Sequence, residues 1–143
     1  MGLKQVKYGS AEYHSMVHLR EKLLRKPLGL YFSAEELAED KEDLLIASFE
    51  EDDMLGCCML KPIDKHRIRL RQMAVRVDQQ HKGIGASIIS FAENIAKDRG
   101  FKYIVMHARD TAIGFYEKFG YQIDGDGFSE VNLPHHLMVK KLQ

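Results

Sequence analysis

Tryptophan is absent from this chain, cysteine occurs twice and proline three times. No apolar run approaches the roughly 18 residues that a bilayer crossing needs, which excludes a transmembrane helix. Two cysteines are too few for a disulfide scaffold. Cys57 and Cys58 are adjacent, and neighbouring strand residues point to opposite faces, so the pair is badly placed to bridge and matches no zinc spacing. An excess of either charge is missing as well: Lys plus Arg total 21, Asp plus Glu total 21, and the formal net charge is 0. Nothing in that balance attracts a nucleic-acid backbone or an anionic membrane. The first ten residues carry charge without an apolar core, which fits neither a secretory leader nor a transit peptide. The expectation is therefore a soluble, cytoplasmic protein. Its 143 residues suit one domain, 1–143, with a self-sufficient core and no repeat, low-complexity tract or linker.

Apolar spacing lays out the elements. Residues 11–24 place Tyr13, Met16, Val17 and Leu24 on one helical stripe, which Pro27 and Gly29 then stop. Ser33 and Glu36 are spaced as a capping box, predicting a short acidic helix over 33–40. LLIASF (44–49) and MLGCCML (54–60) read as a hairpin with an acidic turn. In the next strand, RIRLRQMAVRV (67–77), Ile68 and Leu70 alternate with arginines, but Met73, Val75 and Val77 hold the opposite parity. A one-residue slip would turn the buried face outward, so the pattern predicts a β-bulge between Arg71 and Met73. Ile84, Ile88, Phe91 and Ile95 then mark a helix ending at Arg99-Gly100. FKYIVMHA (101–108) follows it as a βαβ crossover requires. DTAIGFYEKFG (110–120) is a short helix with Ala112, Phe115, Tyr116 and Phe119 on one face. Strands near 121–123 and 136–140 close the chain around the loop GDGFSEVNLPH.

The segment QHKGIGA (80–86) places Gly83 and Gly85 where a charged loop enters the apolar helix. A helix N-terminus leaves N–H groups unpaired and partly positive, which suits an anion, and glycines allow close approach. A Walker loop is excluded because Lys82 precedes the glycine. A dinucleotide fingerprint would need a third glycine where Ile88 stands. The pattern [RQ]-x-x-G-x-[GA] is satisfied at every specified position from Gln80 to Gly85.

With the bulged strand before it, the helix and parallel strand after it, and A-x-x-F-Y-E-K-F-G-Y at 112–121, this loop resembles the GNAT superfamily of acyl-CoA-dependent N-acetyltransferases. The resemblance covers residues 67–123 and, in element order, the remainder; FSEVNLPHHLMVKKL resembles small bacterial members. It implies an α/β acyl-CoA N-acyltransferase fold, a mixed central sheet with a β-bulge and splayed parallel strands flanked by helices. It implies acetyl-CoA as cosubstrate, without a metal, and a small-molecule or protein amine as acceptor, with a homodimer allowed. Carried over position by position, Met73, Ala74 and Val75 line the pantetheine arm. Gln80, His81, Lys82, Gly83, Ile84, Gly85 and Ala86 surround the pyrophosphate, and Tyr116 protonates the departing thiolate. An isolated tyrosine on an apolar helix face would otherwise read as core.

Two positions depart from the family. Arg109 stands where Asn or Gln is usual, and Arg71 and Gln72 occupy the stretch where many relatives carry a basic glutamate. An amine of pKa near 10 must lose a proton before attack. Resemblance to the small bacterial members points to His135 as the base, with Glu130 as alternative or orienting partner and solvent as a third route. His14 and His18 lack the H-E-x-x-H glutamate and a third ligand, His107 reads as core packing, and His66 and His81 read as surface loops. Two other functions compete with acetyl transfer: a non-catalytic acyl-CoA-binding or sensor module, and an ordinary nucleotide-phosphate binder.

Overall fold

The computed structural model describes residues 2–143. Its strands are β1 (Gly2–Val6), β2 (Leu44–Glu50), β3 (Asp53–Pro62), β4 (Arg67–Val75), β5 (Tyr103–Arg109), β6 (Gln122–Ile123), β7 (Phe128–Glu130) and β8 (Leu133–Lys141). Its helices are α1 (Ala11–Arg20), α2 (Ala34–Ala38), α3 (Ile84–Asp98) and α4 (Ile113–Glu117). The strands form one sheet in the order β1-β2-β3-β4-β5-β8-β6, with β7 pairing β8. Among the described residues only β4 and β5 run parallel, with α3 as the crossover between them.

Apolar residues of β3 face both ways because both sheet faces are covered. Leu55, Cys58 and Leu60 join Ile88, Ile89, Ala92 and Ala96 of α3 in one core. Met54, Cys57 and Met59 join Tyr13, Met16 and Leu19 of α1 in the other. A strand buried on both sides reads as a continuous apolar run, which MLGCCML is. Cys57 and Cys58 thus lie on opposite faces, both free and buried. Burial pushes the Cys57 thiol up to about 12 despite the lowering charge of Arg20, and pushes Cys58 well up too.

The bulge falls within the stretch that the parity slip marks. Met59 pairs Arg71 and Cys57 pairs Ala74, so the single residue Cys58 opposes Gln72 and Met73 together. Gln72 takes a left-handed backbone, φ 56. That bulge and the twist it adds draw β4 away from β5: parallel pairing holds only from Arg67–Tyr103 to Arg69–Val105 and then ends. Beyond Arg69, the β5-facing edge of β4 has no strand partner. The sheet is therefore splayed by a bulge, as the resemblance implied.

Several elements differ from the sequence expectations. The helix from Ala11 tightens no further than Arg20 and widens into a π turn, Glu21–Arg25, ahead of Pro27. Strand β8 begins at Leu133, not His136. Pro134 lies beyond the last β5 pair, Arg109–His135, so its missing N–H breaks no ladder bond to β5. The supposed loop before it contains β7, joined to β8 by the two-residue turn Val131-Asn132 with φ 46 and 64. Strand β1 pairs β2 along the open edge of the sheet.

Candidate active site

The splay opens a cavity of ≈ 830 Å³ between β4 and β5. One wall is the bulged strand, another the start of α3, a third α4, and the β7–β8 turn closes the far side. Among the residues expected at a cofactor, Met73, Val75, Gln80, His81, Gly83, Gly85 and Ala86 line it. Ala74 and Ile84 turn their side chains into the cores, leaving only their main chain for a ligand, and Lys82 is exposed outside the lining. Gln80 folds back so that its Nε2 donates to the Val75 carbonyl at 3.1 Å, tying the loop to the bulged strand.

The two glycines turn out to have different reasons. Gly83 caps α3 in a left-handed conformation, φ 83, with open space where a side chain would point. Only glycine adopts that backbone without strain. Gly85 is helical, and a β-carbon there would lie 2.9 Å from Cζ of Phe115. Its missing side chain makes room for an aromatic ring of α4. The amides at the start of this 15-residue helix have no intrahelical acceptors and face the cavity end where Gly83, Gly85 and Ala86 stand.

Tyr116 and His135 line the same cavity. Tyr116 is 7% exposed, and its hydroxyl joins no side-chain hydrogen bond among the described residues. Burial, reinforced by Cys58, raises its pKa, so the phenol stays protonated. His135 is 3% exposed and stacks on Phe128. Its Nδ1 lies 2.9 Å from the Leu133 carbonyl. A carbonyl only accepts, so Nδ1 carries the proton and Nε2 keeps a lone pair in the neutral ring. Nε2 stands 3.7 Å from Glu130 Oε2.

Glu130 also meets His107, whose Nδ1 is 2.9 Å from Oε1 and 3.0 Å from Arg69 Nη2. Partial burial works against ionising Glu130. The hydrogen bond and charge of His107, with the charges of Arg69 and His135, outweigh it and hold the carboxyl below its ordinary range. His107 is thus no packing residue: it lines the cavity at the centre of an Arg69–His107–Glu130–His135 cluster. Sequence reasoning missed this cluster, because 23 and 38 residues separate His107 from its two partners and no local spacing records the contact. Arg109 donates to the Leu24 carbonyl at 2.9 Å, pinning β5 to the π turn. His14 and His18 lie on α1, outside the cavity, and among the described residues no group of three or more His, Cys, Asp or Glu side chains is placed to hold a metal.

This geometry can be set beside known proteins. The chain is 35% identical over 77 residues to the uncharacterized protein YyaT of Bacillus subtilis (strain 168), a match covering 54% of this chain and 52% of that protein. The matched stretch thus spans about half the length of that curated relative. The fold superposes on the crystal structure of a putative N-acetyltransferase from Lactobacillus plantarum with a TM-score of 0.85 at 23% identity, covering 100% of both chains. It also superposes on an aminoglycoside 6'-N-acetyltransferase complexed with coenzyme A, TM-score 0.85 at 18% identity, covering 100% of this chain and 98% of that one. At those identities the likeness establishes the fold. The profile of the Acetyltransferase (GNAT) family matches residues 12–121, which is most of the chain, and places this protein in that family.

Proposed function

We propose that this protein transfers an acetyl group from acetyl-CoA to a primary amine by direct attack within a ternary complex. The observation that carries this reading is the ≈ 830 Å³ gap between β4 and β5, running from the start of α3 to Tyr116 and His135. The donor supplies an activated thioester and leaves as a thiolate. Its diphosphate suits the free amides of Gly83–Ala86 with Lys82 and His81 nearby, each exposed contact contributing roughly 0.3–1 kcal/mol. Its extended arm suits the β5-facing edge of β4 from Met73 to Val75, which no strand pairs and where Gln80 takes the Val75 carbonyl.

His135 Nε2 takes the proton that the amine nitrogen must release as it bonds to the carbonyl carbon. Glu130, 3.7 Å away, stabilises the imidazolium so formed. The Leu133 carbonyl holds the required tautomer. Tyr116 donates a hydrogen bond to the sulfur as the carbon–sulfur bond breaks. With its pKa raised above that of a thiol, about 8.5, it stabilises the developing charge better than it gives the proton away. Cys57 and Cys58, buried with raised pKa values, are poor nucleophiles, which favours direct attack over an acyl-enzyme.

Thiol release from acetyl-CoA across a panel of amines tests the reading. Wild type is expected to release CoA only when amine is present. Tyr116→Phe removes a hydroxyl without a protein partner, so the fold should persist. Its kcat should fall on the order of 100-fold with CoA affinity unchanged. Tight CoA binding with no amine-dependent release would favour the sensor. In thermal shift, stabilisation by ATP or NAD as large as by CoA would favour the nucleotide binder.

A further inference from the structure

Alternation along β4 and β5 sorts the cavity walls by chemistry. Ile68, Leu70, Met106 and Ala108 belong to the core under α3. Arg69, Arg71, His107 and Arg109 therefore share the opposite face, where the π turn contributes Arg25. The cavity as a whole is lined by four arginines and Lys118 against one carboxylate, Glu130. The amides proposed for the donor's diphosphate lie at the α3 end, and Lys118 is one turn from Phe115, which packs there. The arginine face is left to the acceptor.

The partners of these arginines do not exhaust them. Arg25 has Glu36 at 3.1 Å and Arg71 has Asp43 at 3.0 Å. Arg109 has only the neutral Leu24 carbonyl. Arg69 is the least satisfied. Its nearest carboxylate oxygen is Glu130 Oε1 at 4.0 Å, and its Nε is buried without a partner. Its Nη2 faces His107 Nδ1 at 3.0 Å. That one nitrogen also faces Glu130 and cannot donate and accept at once. Glu130 is held ionised, so Nδ1 donates to it and leaves the Arg69 N–H without an acceptor.

Resting on the reading of this cleft as an acetyltransferase site, we infer that the acceptor is a primary amine that also bears an anionic group, a carboxylate or a phosphate monoester, received by Arg69, with Arg109 farther along the same wall, four residues past Val105, the register partner of Arg69. The amine end lies at Glu130 and His135. A polycationic aminoglycoside, the class named for one structural relative, has the wrong charge for this wall.

Matched pairs read the sign of the site. Thiol release is measured with 4-aminobutyrate against butylamine, with O-phosphoethanolamine against ethanolamine, and with tobramycin. At least a tenfold higher kcat/KM is expected for one or both anionic members, and which pair responds distinguishes carboxylate from phosphate. Arg69→Gln should collapse that ratio chiefly through KM, and Arg109→Gln serves if the first variant misfolds. Equal or higher rates with butylamine, ethanolamine or tobramycin overturn the inference while leaving amine acetylation intact. A second arm needs no turnover: butyrate, inorganic phosphate and butylamine are titrated calorimetrically into CoA-saturated protein. Binding of either anion, weakened at least tenfold by Arg69→Gln, supports the inference even if no amine in the panel is acetylated. Binding of butylamine alone, or of none, overturns it.

Discussion

Cζ of Phe115 lies 2.9 Å from the point where a β-carbon on Gly85 would stand, so the second glycine of the loop is an aromatic seat. Alanine gains up to about 1 kcal/mol over glycine in a helix interior and less in the first turn. Against that gain stands the displacement of Phe115, which is 37% exposed and can swing outward. The two effects nearly cancel in Gly85→Ala, whose stability in urea should stay within about 0.5 kcal/mol of wild type. CoA affinity should still drop, because the shifted ring lines the end of the cavity proposed for the donor's diphosphate. In a Phe115→Ala background the same substitution should be stabilising and leave CoA affinity unmoved. Continued loss of affinity there would mean that the glycine serves the ligand directly.

Val131 has a positive φ of 46 in the two-residue turn that follows Glu130. A β-branched residue in that region is strained by roughly 1–3 kcal/mol. Such turns favour asparagine or glycine at the first position. Val131→Asn should therefore raise stability by about 1 kcal/mol in chemical denaturation. The turn sets the spacing of Glu130 and His135, so a relaxed turn should also lower kcat. Unchanged or reduced stability would show that packing of the valine side chain in the cavity outweighs its strain.

Features written in local spacing were legible. The bulge showed as the parity change between Leu70 and Met73, the α3 stripe as apolar periodicity, and the Ser33–Glu36 capping box forms with both reciprocal bonds. The placement of Tyr116 and of most of the loop at 80–86 along one cavity follows from the same local elements. Hidden were features that depend on partners distant in sequence. GLKQV is too short and polar to signal a strand, and becomes one only because β2 offers an edge. Arg71 read as the absence of a carboxylate on the bulged strand, whereas the fold makes it one of four arginines along the cavity wall, facing Glu130 from another strand. His107 looked like core because nothing beside it in sequence announces Arg69 or Glu130.

The lowered pKa of Glu130 carries a direction in pH. Its folded value lies below the ordinary 4.5, so the unfolded chain binds its proton more readily. The stability that its contacts contribute is present above about pH 4.5 and lost as pH falls through the lower folded value. With 40% of the side chain exposed, solvent screens the effect and it is small. Glu130→Gln should flatten the acid limb of a stability-versus-pH curve measured by urea denaturation. A variant curve parallel to wild type below pH 4.5 would refute the assignment.

Arg20 and Asp40 form an ion pair at 2.9 Å with side chains 1% and 0% exposed. Tyr13 donates to the same carboxylate oxygen at 2.8 Å, while Oδ1 of Asp40 is buried without a partner. Arg20 Nε reaches Gln72 Oε1 at 3.4 Å, so this pair also props the bulge. Removing one member of a buried pair strands the other's charge, at a cost of roughly 3–5 kcal/mol. That is a large share of the roughly 5–15 kcal/mol that holds a domain together. Arg20→Met keeps most of the side-chain bulk, so its loss of about that size would be electrostatic in origin. Adding Asp40→Leu removes the stranded charge, and Tyr13 can still donate to the Leu37 carbonyl, 3.3 Å away. The double variant is expected to recover most of the stability but not the CoA affinity, since Gln72 has lost its brace. Full recovery of both would show that the bulge holds its shape without Arg20.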